Sequence, residues 1–257
     1  MIALVTGASS GIGRDISIEL AERGYDIIAV ARNIQRLNDL KKEIEQNFTE
    51  RKVHIKTCDM SSKEQCKNLY NDVKKTFGNI DVLVNNAGFG LCSEFTEADL
   101  DKEISMIETN ITGLHILMKL FLKDMVEKNS GYIMNVASIA GFMPGPLMAT
   151  YYSTKAYVLR LTQAVRHELF MKRSKVKVSC LCPGPVNTNF NNTAEVKFAL
   201  KGADSRFVAK YAVVHMLGGR ELIMPGLGIG IVKIASKLLP DRLMGAFCYF
   251  MQKKKIK

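Results

Sequence analysis

The stretch IALVTGASSGIGRDISIEL, residues 2–20, decides the fold. Residues 2–6 are an apolar run of strand length, and a helical pattern opens at about residue 12 and runs to about 23. Between them lies TGASSGIG, Thr6 to Gly13. Gly7 permits a tight turn, Gly11 lets the backbone approach a pyrophosphate, and Gly13 allows the helix to pack closely on the strand. Ser9, Ser10 and Ile12 complete the loop, whose free N–H groups and helix dipole would face the phosphates. Glycine–serine clusters also make ordinary turns, and the spacing here is G-x-x-x-G-x-G rather than G-x-G-x-x-G. The strand before it and the helix after it favour dinucleotide binding.

The alternation continues along the chain. Strands are predicted at 26–31, 53–57, 80–85, 131–137, 176–182 and 221–224, with helical patterns at 34–47, 62–77, 97–128 and 150–173. Near-continuous apolar strands separated by helices mean a parallel sheet covered on both faces, and right-handed crossovers make it doubly wound. The expected fold is α/β, a Rossmann-like sheet of about seven strands in a single domain over 1–257, with ligands outside the strand C-terminal ends. No repeat, low-complexity tract or linker divides it.

Six cysteines show no CxxC or Cys/His spacing, so neither a metal site nor a redox pair is expected; Cys180 and Cys182 alternate along one strand face as small buried residues. The chain runs directly into strand 1 with no signal-peptide pattern, and the expectation is a soluble, cytoplasmic protein. Its net charge of +11 is spread over helix faces apart from the tail QKKKIK, which argues against a nucleic-acid partner.

At the end of strand 2, in AVARN, Arg32 stands where a carboxylate would select an unphosphorylated ribose. A guanidinium there suits a 2′-phosphate, so the cofactor expected is NADP(H) rather than NAD, with Arg14 adding to the same field. Asp59 in TCDMS is placed to accept from an adenine amino group, or to begin the next helix beside Ser61 and Ser62.

Another feature is LMATYYSTKAY, residues 147–157, in which Tyr151 lies four residues and Tyr152 three residues before Lys155. Both spacings bring a phenol near the amine on a helix, so spacing alone leaves the two open.

Together with NNAG at 85–88, Asn110, Ser138 and PGPVNT at 183–188, these motifs resemble the short-chain dehydrogenase/reductase family, in family order over about residues 1–190. The resemblance implies an NAD(P)-dependent oxidoreductase that interconverts a carbonyl and a secondary alcohol. Its Y-x-x-x-K pattern selects Tyr151 as the acid/base, and Tyr152 would turn toward helix packing or the substrate wall. It implies that Ser138 holds the substrate oxygen, that Lys155 binds ribose hydroxyls, and that Asn110 holds a water relaying protons through Lys155. It places Asn86, Ala87 and Gly88 at the adenosine half of the cofactor and Pro183, Gly184, Val186 and Thr188 at the nicotinamide. A free tyrosine has a pKa of about 10, and lowering it by about three units requires roughly 4 kcal/mol. One ammonium about 4 Å away supplies roughly that much at an effective dielectric near 20, so Lys155 is expected to depress Tyr151.

Phe89, Phe142, Met143, Pro144, Pro146, Leu147 and Met148 are expected around the reacting carbon, which suggests a bulky apolar substrate such as a ketosteroid. A 3-oxoacyl thioester or small hydroxy acid is the runner-up; a non-catalytic cofactor sensor or a membrane-surface scaffold is the rival from another class. The resemblance thins after residue 188. Residues 189–218 are expected to be a substrate lid, and 226–257 a C-terminal amphipathic extension of two pieces divided by Pro240. Ile231, Ile234 and Leu238 form one apolar stripe, and Leu243, Phe247 and Phe250 another, with Lys233, Lys237 and Arg242 opposite. Charges break every apolar run before about 20 residues, so no transmembrane span is expected. Packing on the body, a subunit contact and lying on an anionic membrane are the options for the extension, in that order. The family resemblance implies a homodimer or homotetramer.

Overall fold

The computed structural model describes residues 1–188, 202–226 and 228–253. Seven parallel strands form one sheet: β1 (Ile2–Thr6), β2 (Asp26–Ala31), β3 (Val53–Thr57), β4 (Val82–Asn85), β5 (Tyr132–Val136), β6 (Lys177–Leu181) and β7 (Leu222–Ile223). Their order is β3-β2-β1-β4-β5-β6-β7. The chain therefore builds outward from β1 in one direction and returns to its other side with β4. The strand ends flanking that reversal leave a crevice between diverging loops, which is where such sheets take ligands.

The sheet is buried on both faces, and side-chain alternation divides its core. Ala3 and Val5 point to the layer containing Ile16 and Leu20 of α1 (Gly11–Glu22) and Leu37, Leu40 and Ile44 of α2 (Ile34–Asn47). Leu4, between them, points to the opposite layer. There it meets Leu69 and Val73 of α3 (Lys63–Phe77), Leu117 and Phe121 of α5 (Leu114–Lys128) and Leu169 of α6 (Ala149–Met171). Asn33 caps α2 and Ser62 caps α3, each accepting from a backbone N–H three residues on. Cys180 and Cys182 are fully buried in a third, smaller cluster.

The strands and most helices match expectation within a few residues. The predicted helix 97–128 instead comprises α4 (Leu100–Ile107), a π turn (Glu108–Gly113) and α5. A methyl group on Gly113 would collide with the main-chain oxygen of Met60, so glycine permits the close approach of this widened turn. Within the segment expected to be a lid, Ser205–Leu217 form α7, whose Val208, Ala209, Ala212, Val213 and Met216 are buried, four of them in the layer with α1. The rest of it, 189–201, lies outside the described residues.

The C-terminal extension forms α8 (Ile229–Leu238) and α9 (Asp241–Lys253), separated around Pro240 as expected. The apolar stripe read from the sequence of α9 does not pack on the body. Leu243, Phe247 and Phe250 are exposed, and the buried face is Met244, Cys248 and Gln252. On α8, Ile234 and Leu238 are exposed too, while the side chains of Ile231 and Lys237 lie outside the description. Among the described residues no helix is long and apolar enough to cross a membrane.

Candidate active site

A cleft of about 560 Å³ runs along the C-terminal ends of the strands, from Arg32 after β2 to Pro183, Gly184, Pro185 and Val186 after β6. At its centre Gly7 and Gly11 adopt positive φ angles of 67° and 54°. A methyl group on Gly7 would lie 2.7 Å from Asn86 Nδ2, and one on Gly13 would collide with Asn86 and with the Gly7 carbonyl oxygen. Gly7, Ser9, Ser10, Gly11 and Ile12 line the cleft; Gly13 lies behind, allowing the NNAG segment to press against the loop. That contact is hydrogen-bonded: Asn86 N and Ala87 N both donate to Thr6 Oγ1 at 3.0 Å, and Asn86 Nδ2 donates to Thr6 O at 3.0 Å. Ser10 precedes α1 without capping it through its side chain, and the first turn contains no acid. Its N–H donors suit an anion, so the residues present fit a dinucleotide phosphate.

Arg32, Asn33, Arg36, Cys58, Asp59 and Met60 surround the far end of the cleft. Arg32 is 75% exposed, with its guanidinium 3.9 Å from Asp59. The other oxygen of Asp59 accepts from the backbone N and hydroxyl of Ser61, so this residue serves the turn into α3 as well as facing the cleft. Arg14 does not add to this field as expected, because its guanidinium pairs with Glu43 and Asp15. Arg36 does, though it was not among the expected site residues. The signal for it was Asn33, whose side chain accepts from Arg36 N at 3.0 Å and starts α2 just beyond Arg32.

Ser138, Tyr151 and Lys155 meet at the opposite end. Tyr151 and Lys155 share one face of α6, with Lys155 Nζ 5.7 Å from the Tyr151 ring centre. Lys155 is only 5% exposed and donates to the Val136 carbonyl oxygen at 2.9 Å. Ser138 caps a 3₁₀ turn (Ile139–Phe142), accepting from Ala140 N at 3.2 Å, and hydrogen-bonds Tyr151. The expected electrostatics need correction. Burial pushes the Tyr151 phenol up to about 12, against the lowering effect of Ser138, and pushes Lys155 down to about 8. The amine is directed at a main-chain oxygen and both groups are desolvated, so burial outweighs the attraction that the sequence arithmetic assumed.

Asn110 is fully buried in the π turn. Its Oδ1 accepts from Phe89 N at 3.0 Å, and its Nδ2 donates to Phe89 O at 2.9 Å and Thr154 Oγ1 at 3.1 Å. These bonds leave one acceptor lone pair for the expected water, and they make Asn110 a positioning residue for the segment after β4. A methyl group on Gly88 would lie 2.8 Å from Asn110 Oδ1 and 3.4 Å from Lys155 Nζ, so all three crowd together. Thr188 lies across from Gly11, whose added methyl would be 2.9 Å from Thr188 Cγ2.

Tyr152 lines the cleft, its ring edge-on to Tyr151 with centres 6.1 Å apart. Gly145 makes room for that ring, since any side chain there would collide with it. Of the expected apolar wall only Phe89 and Met148 line the cleft. Phe142 packs on the cluster with Val158 and Leu159, Leu147 is buried, and Pro144 is exposed. Phe142 ends the 3₁₀ turn, and Pro144 and Leu147 follow it in the loop before α6, outside the lining of the cleft. Their place is taken partly by Ser105 and Thr109 and by Gln252 of α9, none of them anticipated from sequence.

Comparison with known proteins identifies the family. The family model described as short chain dehydrogenase matches residues 1–197. An uncharacterized oxidoreductase of Staphylococcus saprophyticus is 35% identical over 212 residues, 82% of this chain and 89% of that protein. A short-chain dehydrogenase from Sphingobium yanoikuyae, solved in complex with NADPH, superposes with a TM-score of 0.83 at 27% identity, covering 97% of this chain and 94% of that one. The bulky-bulky ketone specific alcohol dehydrogenase from Comamonas testosteroni gives 0.78 at 25% identity, over 88% of this chain and 86% of its own. With its glycine cradle joined to NNAG and its serine, tyrosine and lysine at one end of the same cleft, this chain belongs to the short-chain dehydrogenase family of oxidoreductases.

Proposed function

We propose that the chain is an NADP(H)-dependent reductase that converts a bulky apolar ketone into a secondary alcohol. The observation that carries this reading is the half-buried Tyr151, hydrogen-bonded to Ser138 and one helical turn from the buried Lys155, at the end of a cleft of about 560 Å³. Arg32 and Arg36 would hold a 2′-phosphate, the Gly7–Gly13 loop the pyrophosphate, and Asp59 the adenine. Asn86, Ala87, Gly88 and Lys155 would line the ribose side, with Pro183, Gly184, Val186 and Thr188 beside the nicotinamide. When bound, the nicotinamide supplies hydride to the carbonyl carbon.

The chain's own residues supply the rest. Ser138 and Tyr151 bind the substrate oxygen and hold the carbonyl in one orientation. As negative charge grows on that oxygen, Tyr151 transfers its proton to it. Lys155 in its charged form stabilises the phenolate that remains. A donor with a pKa raised to about 12 suits reduction better than oxidation, which would require the phenolate beforehand.

Phe89, Met148 and Tyr152 support an apolar substrate, as does the ketone named for the Comamonas testosteroni protein. Within this reading a ketosteroid or similar hydrophobic ketone is favoured, in the cytoplasm, by a homodimer or homotetramer. The test is NADPH oxidation, followed at its absorbance band, over ketosteroids, aliphatic ketones and ketoacyl thioesters. Turnover of the hydrophobic ketones is expected. Its absence across the panel, or turnover confined to the thioesters, would overturn the reading.

A further inference from the structure

Two buried side-chain polar atoms among the described residues have no hydrogen-bond partner, Asn85 Oδ1 and Gln252 Oε1. Asn85 lies within the sheet on β4, and its amide nitrogen bonds Asn135. Gln252 is different, because it lines the cleft that also contains Ser138, Tyr151 and Tyr152. It is 2% exposed and arrives on the buried face of α9, each residue of Met244, Cys248 and Gln252 one turn beyond the last. A methyl group on Gly245 would approach Pro144 at 3.9 Å, which places this helix over the loop leading into α6.

The amide is paired at one end and, among the described residues, without a hydrogen-bond partner at the other. Gln252 Nε2 donates to the Tyr152 hydroxyl at 2.5 Å, which fixes the side chain against the aromatic wall. The ring that anchors it lies edge-on to Tyr151, centres 6.1 Å apart. Oε1 thus remains a buried acceptor one ring removed from Tyr151, in a wall that also includes Phe89, Met148, Ser105 and Thr109. An acceptor withdrawn from water and given no protein partner favours a ligand that brings a donor.

We infer that Gln252 Oε1 accepts a hydrogen bond from a hydroxyl group of the substrate, so that the site prefers hydroxyketones over the corresponding plain ketones. The inference rests on the reductase reading for the identity of the reacting carbonyl. The role of Gln252 is recognition, and Tyr152 is its positioning partner.

The experiment compares 3- and 4-hydroxycyclohexanone with their methoxy counterparts and with cyclohexanone, in wild type, Gln252→Met and Tyr152→Phe. Two readouts are taken: kcat/KM by NADPH oxidation, and the rise in Tm that each ketone gives the NADP⁺-loaded protein without turnover. For at least one hydroxyketone the wild type is expected to prefer the hydroxyl over the methoxy compound by about tenfold, the worth of one hydrogen bond. Gln252→Met should remove that ratio and Tyr152→Phe reduce it. Equal treatment of hydroxy, methoxy and plain ketones by the wild type would overturn the inference, whether or not either variant folds. So would a preference retained in a folded Gln252→Met protein. Hydroxyl-dependent Tm shifts without NADPH oxidation would sink the reductase reading and leave this one standing. Turnover with no hydroxyl preference would do the reverse.

Discussion

Lys155 Nζ lies 5.7 Å from the centre of the Tyr151 ring and spends a hydrogen bond on the Val136 carbonyl oxygen, the last residue of β5. The amine is thereby tied to the sheet and the phenol to Ser138, so each group reaches the cleft from a fixed support. Both are desolvated, and both titrate away from their ordinary values.

Tyr151→Phe removes the transferable proton and keeps the ring. Turnover should fall by about a thousandfold or more, within the range of a lost acid catalyst together with its oriented hydrogen bond. NADPH affinity, measured by fluorescence titration, should change little. Retained turnover would move the acid role elsewhere.

Lys155 gives the pH dependence its sign. Its pKa in the fold is about 8 against an ordinary 10.5, so the ammonium is complete below about pH 7 and lost as pH rises through 8. Reduction should therefore decline above pH 8, while Tyr151, raised to about 12, stays protonated through that range. Stability runs the opposite way. The unfolded chain holds the Lys155 proton more tightly, so the cofactor-free protein should gain stability between pH 8 and 10.5. Lys155→Met should remove that gain and stabilise the cofactor-free fold near neutrality, by roughly 3 kcal/mol. Thermal melts across pH for both proteins check this, and parallel curves would refute it.

Arg32→Asp should shift preference from NADPH toward NADH by about ten- to a hundredfold in the ratio of kcat/KM values, as a charge-assisted contact is replaced by a repulsive one. Arg36→Ala should move the ratio the same way by less, and the double variant furthest. An unchanged ratio in the double variant would remove this end of the cleft from 2′-phosphate recognition.

Asn110→Ala deletes the side chain that pairs both Phe89 N and Phe89 O. Stability should fall by about 2–4 kcal/mol, the cost of a cavity and of buried main-chain groups left without partners. Chemical denaturation measures it. A loss of turnover with unaltered stability would instead favour the water-relay role.

The legible parts of the sequence were those where chemistry requires a residue type at a fixed spacing. The glycines of residues 7–13 are dictated by close backbone approach, whereas one helical turn admits both Tyr151 and Tyr152 beside Lys155 and only the family resemblance selects Tyr151. Periodicity failed on α9 because that helix carries apolar residues on two sides. Leu243, Phe247 and Phe250 make a better hydrophobic stripe than Met244, Cys248 and Gln252, yet the second set is buried. A polar residue closing a buried face is a poor core signal and a good site signal, visible only once the helix is docked. The direction of the Tyr151 shift was out of reach for a related reason: charge separation can be guessed from spacing, whereas burial depends on everything that packs around the pair.

The nucleotide cradle draws its residues from the chain up to Thr188, whereas the amide that closes the substrate wall waits for residue 252. On a ribosome the two halves of the cleft would come into existence at different times. If the cleft takes a dinucleotide as proposed, a nascent chain with its first six strands formed could capture it before it could discriminate among substrates, and the dinucleotide would then be a ligand for folding as well as for chemistry.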